Sequence, residues 1–234
     1  MIVSLIILLE SVNYKFFIIF CQCVSPKNAD VLLDFDLDKF QALGFRVVGL
    51  THAGRNRIGD GNSIQNPSGF TKAGRKLIKQ IEARGLSIDV AHLAEPCFWE
   101  LMDCFSGTLL TSHTGFRQFC DLPRNLSEAQ LDILVERGGM IGFTVAPEML
   151  SMANKVDIHD VFAQMDWFVQ KYGVDNLGIG SDFGGCELES ITDYTQFDLL
   201  MDLFVQHGYS FSAIEKIMAT NWLNFYEHQY AVGT

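Results

Sequence analysis

Three short apolar runs in this chain each end on a histidine, and a fourth ends on an aspartate. They read RVVGLTH at Arg46–His52, LSIDVAH at Leu86–His92, TLLTSH at Thr108–His113 and LGIGSD at Leu177–Asp182. Each has strand length and is rich in β-formers, and each is followed by a stretch with helical spacing. Apolar strands alternating with helices predict an α/β fold with a buried parallel sheet. The C-terminal ends of parallel strands emerge on one side. His52, His92, His113 and Asp182 are therefore expected at a common mouth. Imidazole and carboxylate are the ligands of a hydrolytic metal, so a metal-dependent hydrolase is the first expectation.

The length, 234 residues, suits one domain of the β/α-barrel or doubly wound class, spanning residues 1–234. A hydrophobic content of 48% is ample for its core. The formal charge of −11 argues against a nucleic-acid partner, because a phosphate-binding surface needs a basic excess. The acidic side chains are read as solvated helix faces. Cys21, Cys23, Cys97, Cys104, Cys120 and Cys186 show no disulfide framework and are read as buried reduced thiols, which leans toward a cytosolic setting.

Residues 1–29 read as a divergent or misassigned start. Met1–Leu9 and Phe16–Val24 are apolar, but neither approaches the roughly 20 residues that span a bilayer. A signal peptide has a basic leading region, and nothing basic precedes Ile2. Two strands, or one strand after a misassigned start, are expected here, a divergent signal being the alternative; membrane anchoring is not evident.

Helices are predicted over Asp34–Leu43, Thr71–Arg84, Ala94–Phe105, Glu128–Arg137 (with Ser127 as N-cap), Asp157–Tyr172, Thr195–His207 and Ser210–Glu227. Gly138–Val145 is a fifth strand, ending without a ligand. The Gly- and Asn-rich stretch Ala53–Gly69 is a long βα loop expected to shape an entrance. Ligand-type residues at four strand ends favour a closed barrel over an open sheet, which gathers its site at one switch point. The predicted fold is a TIM (β/α)8-type barrel, incomplete at its N-terminus by one or two strands. Phe16–Val24 is counted as a sixth strand and Met1–Leu9 as a strained seventh.

Five stretches carry a resemblance to a known family. They are LTHAGRNRIGDG at Leu50–Gly61, GFTKAGRKLIKQIEARGLSIDVAH at Gly69–His92 and TSHTGFRQFCDLPRNLSEAQL at Thr111–Leu131, with GGMIGF at Gly138–Phe143 and GVDNLGIGSDFGG at Gly173–Gly185. In sequence and order they resemble the membrane (renal-type) dipeptidases, zinc metallopeptidases with a TIM-barrel fold. The resemblance runs from about Asp30 to the end. It implies that His92 and His113 are ligands of one zinc ion. It also implies that Asp182 touches a second zinc and handles the proton of the attacking water, and that His52 contacts the substrate and the tetrahedral intermediate. Arg124 matches the arginine that holds the substrate's terminal carboxylate, a task suited to a guanidinium fork. His159, His207 and His228 are read as surface residues.

The chain also departs from the family pattern. No His-x-Asp pair stands upstream of His52, and Ser25–Asn28 holds no counterpart of the bridging glutamate in its Glu-Gly motif. The last-strand motif reads Asp182-Phe183-Gly184-Gly185 where the family has Asp-Phe-Asp-Gly. Three readings follow. One is a two-zinc dipeptidase acting on dipeptides, whose missing strands lie in sequence beyond this start. Another is a barrel that no longer hydrolyses and serves as a binding or scaffold protein. The third is a one-metal amidohydrolase using His92, His113 and an aspartate from Asp30–Asp38. A homodimer is left open.

Overall fold

The computed structural model describes residues 6–11, 14–19, 29–42, 44–153, 155–183, 188–189 and 191–230. These divide into two compact units. Unit 1 comprises the described residues of Cys21–Ser112, and unit 2 those of Leu5–Phe20 and His113–Thr234.

Unit 1 contains a 3-10 turn at Ala29–Leu33 and a short helix α1 (Leu37–Ala42), closed by Gly44 at φ +91°. Parallel strands β3 (Val47–Gly49) and β4 (Ser87–Asp89) follow, with α2 (Lys72–Glu82) between them and α3 (Glu95–Cys104) after β4. β5 (Leu109–Thr114) pairs with β4 through Leu109 and Leu110. Both β3 and β4 are buried throughout, as their continuous apolar pattern requires. In α2, Leu77, Ile78 and Ile81 sit at helical spacing and are fully buried, each worth roughly 1.5–3 kcal/mol. Thr71 caps α2 by accepting from Gly74 N–H at 3.0 Å, while its hydroxyl donates to the Arg57 carbonyl at 2.6 Å. One residue thus starts the helix and anchors the loop before it.

Unit 2 carries the end of β5, then α4 (Glu128–Glu136), β6 (Met140–Phe143), α5 (Pro147–Leu150), α6 (Ile158–Tyr172) and β7 (Leu177–Ile179). Helices α7 (Phe197–Gln206), α8 (Phe211–Glu215) and α9 (Asn221–Tyr230) complete it, with a π-helical segment at Lys216–Thr220 between the last two. Ser127 and Gln130 form the capping box expected at the start of α4. Val161, Phe162, Met165 and Phe168 make the buried stripe of α6. From the C-terminal segment, Asn221 donates to the carbonyls of Val174 and Leu177 at 2.6 and 2.8 Å, and Trp222 Nε1 donates to Ile179 O at 3.0 Å. These bonds clamp β7 along its length.

The strand order β3-β4-β5-β6-β7 is sequential, with helices between parallel neighbours. This is the predicted α/β fold, and sequential order is that of consecutive barrel staves. The amino-terminal runs depart from expectation. β1 (Ile6–Ser11) and β2 (Tyr14–Ile19) pair antiparallel with each other, as a two-stranded sheet of their own, instead of extending the parallel sheet. The runs are nearly contiguous, and adjacent strands can turn back in two residues, whereas a parallel pair needs a crossover of a dozen or more. The remaining parts of those two runs lie outside the described residues.

Among the described residues, no helix is long and apolar enough to cross a membrane. Cys97 and Cys120 are buried free thiols, as expected. Cys104 corrects the expectation: it is exposed, standing at the last residue of α3 where the helix runs out. Cys21, Cys23 and Cys186 lie outside the described residues. His159, His207 and His228 are exposed, as the sequence suggested.

Candidate active site

The strands stop short of the residues predicted to end them. Leu50 and Thr51 separate β3 from His52, Val90 and Ala91 separate β4 from His92, and Gly180 and Ser181 separate β7 from Asp182. Only His113 lies within its strand. The three others sit on the C-terminal extensions, where the backbone is free to leave the ladder. His92 and Asp182 have φ of +63° and +60°, the only non-glycine residues with positive φ among those described. The left-handed region costs an L-residue about 1–2 kcal/mol. Two such residues at equivalent strand ends persist only where the surrounding structure holds them there.

In unit 1 the structure brings His52 and His92 together, their ring centroids 4.2 Å apart. His92 is held by its main chain: its carbonyl accepts from the Thr51 hydroxyl at 3.2 Å and from the Asn62 N–H at 2.9 Å. The buried carboxylate of Asp89 accepts from Ala91 N–H and from Ser112 N–H, both at 2.9 Å. Asp89 therefore fixes the backbone one residue before each of two histidines, His92 and His113. The loop 53–69 is internally bonded. Asn56 Oδ1 accepts from Ile58 and Gly59 N–H, and its amide donates to Leu50 O at 2.9 Å.

Buried Asp60 pairs with Arg55 and accepts from Ser68 N–H at 2.7 Å. The Arg55 guanidinium, helped by Ser68, holds the Asp60 carboxyl below the usual carboxylate range. A depressed folded-state pKa stabilises the protein above the unfolded value of about 4, and that contribution is lost as pH falls through the folded pKa. Asp60→Asn should destabilise the chain by about 2 kcal/mol at pH 7, with the deficit shrinking toward pH 3. Urea unfolding of both proteins across that range reads it, and a pH-independent difference would refute the ionic role.

In unit 2 the structure brings His113 and Asp182 together: Nε2 of His113 is 3.5 Å from Oδ2 of Asp182. The loop after β5 is knotted around buried Asn125, which accepts from Gly115 N–H and donates to Cys120 O and Met149 O. Beside it, Arg124 donates from Nη2 to the His113 carbonyl at 3.3 Å. The predicted carboxylate anchor is thus tied to the main chain of a predicted ligand.

Residues 20–232 match the family described as membrane dipeptidase, peptidase family M19. The chain belongs to this family. A Klebsiella pneumoniae protein encoded in the region 5′ of pqqA, itself uncharacterised, is 30% identical over 199 residues, covering 80% of this chain and 73% of the relative. Dipeptidase tcpJ of Claviceps purpurea is 26% identical over 187 residues, 78% of this chain but 44% of the fungal enzyme. A crystal structure of a Rhodobacter sphaeroides metallo peptidase, liganded with a phosphinate mimic of the dipeptide L-Ala-D-Ala, superposes with a TM-score of 0.77 at 26% identity. It covers 84% of this chain and 60% of that one. The chain thus spans about half to three-quarters of the length of these relatives.

A metallopeptidase family implies a metal, and in this M19 chain two donor side chains, His113 and Asp182, stand close together. A separation of 3.5 Å is long for a hydrogen bond between nitrogen and oxygen. It matches the roughly 3.3–3.5 Å between two ligands on one tetrahedral zinc with bonds of about 2.0–2.2 Å, whereas the resemblance assigns His113 and Asp182 to different zinc ions. Among the described residues, no group of three or more His, Cys, Asp and Glu side chains gathers as a complete cage. Three of the four aspartates of the one-metal reading have partners of their own. Asp34 pairs with Arg57, Asp38 accepts from Arg84 at 2.7 Å, and Asp36 accepts from the Asp38 N–H at 2.9 Å.

Sequence reasoning missed Asn62, Asp89 and Asp60. Only the glycine- and asparagine-rich character of 53–69 pointed toward the first and last of these.

Proposed function

We propose that this M19 chain is a zinc-dependent dipeptidase, with His92, His113 and Asp182 as metal ligands, Asp182 and His52 as catalytic groups, and His52 and Arg124 as substrate-binding groups. The observation that carries the reading is the convergence of the His113 imidazole and the Asp182 carboxylate at ligand spacing. The Rhodobacter relative that holds a dipeptide mimic adds support for the substrate class.

A bound zinc would supply Lewis acidity and draw the pKa of water toward neutrality. The residues of the chain then divide the work. Asp182 accepts the proton of the attacking water and returns it to the leaving amine. His52 donates to the oxygen of the scissile carbonyl as negative charge develops there, a preorganised electrostatic role. Arg124 binds the free α-carboxylate of the substrate, restricting the enzyme to dipeptides and similarly short amides.

Metal analysis of the purified chain, with dipeptide hydrolysis before and after chelation, tests the reading. About two zinc ions per chain with chelator-sensitive hydrolysis support it. One ion would favour the one-metal amidohydrolase, and none with no hydrolysis would favour a binding protein. Arg124→Ala should raise KM for free dipeptides about tenfold to a hundredfold, the worth of a charged hydrogen-bonded pair. It should leave carboxyl-amidated analogues nearly unaffected, and equal effects on both would remove the anchor role.

A further inference from the structure

The reaction described above makes no use of Asn62, a residue of the loop between β3 and α2. Its Oδ1 lies 3.2 Å from Nδ1 of His92, while its backbone N–H donates to the His92 carbonyl at 2.9 Å. One loop residue therefore grips both the ring and the main chain of His92. With the amide oxygen of Asn62 turned to the ring, the contact is a hydrogen bond only when Nδ1 carries the hydrogen. That tautomer leaves the lone pair on Nε2. A free neutral imidazole in water prefers the opposite form, with the hydrogen on Nε2. The protein must hold His92 against that preference if Nε2 is to face a cation.

We propose that Asn62 is a positioning residue that selects the Nδ1–H tautomer of His92 and so presents Nε2 to the metal ion. The proposal rests on the reading of His92 as a ligand. Metal-bound histidines depend in this way on a partner for their other ring nitrogen, which fixes tautomer and orientation. Here the backbone adds to the need. His92 is in the left-handed region, its ring against His52, and the main-chain bond from Asn62 holds that geometry independently of the side chain. Asn62→Ala therefore deletes the ring contact while keeping the backbone donor.

The test is long-range 15N NMR of histidine rings in the chelator-treated full chain, with His92 assigned through His92→Gln, followed by zinc titration of each variant. The wild type should show His92 as Nδ1–H. Asn62→Ala should move it to mainly Nε2–H and weaken zinc binding about tenfold to a hundredfold, with little change in Tm. Asn62→Asp keeps the size and offers only acceptors, so it should hold Nδ1–H and near wild-type affinity. A wild-type His92 in the Nε2–H form, the same tautomer in Asn62→Ala as in wild type, or Nε2–H in Asn62→Asp would each overturn the role of Asn62. A tautomer that shifts as expected, with zinc affinity untouched even by His92→Gln, would instead overturn the ligand assignment.

Discussion

Replacing His113 with alanine should strip bound metal from the chain and lower dipeptide hydrolysis by about a thousandfold or more. The expectation follows from where the side chain sits. His113 is the one predicted ligand inside a strand, so its Cα is fixed by the sheet. Its side chain is 14% exposed, against 37% for Asp182. Removing the imidazole leaves Asp182 without the second donor that stands at ligand distance, and a lone carboxylate is a weak zinc site. A Lewis acid contributes several kcal/mol to charge stabilisation in the transition state, and about 4 kcal/mol corresponds to three orders of magnitude. Metal content is the deciding measurement, read by atomic emission on the purified variant beside a dipeptide assay. Metal retained at the wild-type level would remove His113 from the ligand set whatever happens to the rate.

The strands were legible because their chemistry is local. Val47, Val48, Ile88, Leu109 and Leu110 form continuous apolar runs with turn signals on either side, and all five are essentially inaccessible to solvent. The exact ends were not legible. His52, His92 and Asp182 continue the apolar runs in sequence, yet two residues separate each from the end of its strand. Nothing in composition announces that His92 and Asp182 turn into the left-handed region, because neither is a glycine. The contacts that hold these regions come from distant sequence: Thr51 and Asn62 grip His92 itself, and Trp222 with Asn221 grip the strand that leads to Asp182. The antiparallel pairing of the amino-terminal runs was misjudged for a related reason. Periodicity identifies a strand but not its partner, and loop closure favours the nearer one. The family resemblance supplied the roles of His52 and Arg124, which residue patterns alone would not have given. Asn62 shows what neither source reached: its importance lies in a contact to one ring nitrogen, visible only with side chains in place.

Gly61→Ala should lower stability by about 3 kcal/mol, a Tm drop of about 6–12 °C for a chain of this size. A Cβ at Gly61 would lie 1.7 Å from the His52 carbonyl oxygen and 2.6 Å from the carbonyl carbon and oxygen of Ala53. All three are backbone atoms, so no rotamer change can relieve the overlap. The glycine is held there by donating to Gly54 O at 3.1 Å and accepting from Ile64 N–H at 3.1 Å, so the loop cannot swing outward without breaking both bonds. Whichever side yields, the chain beside His52 or the neighbouring Asn62 must move. Hydrolysis should therefore fall further than the folded fraction. Gly54→Ala is the matched control: it lies in the same loop, with nothing within 4 Å of an added Cβ. Its Tm should stay within about 1–2 °C of wild type, as surface substitutions do. Thermal melts of the two variants side by side decide the matter. Equal Tm values would mean that the close passage of the loop over His52 is not a feature of the folded protein, and the path by which Asn62 reaches His92 would fall with it.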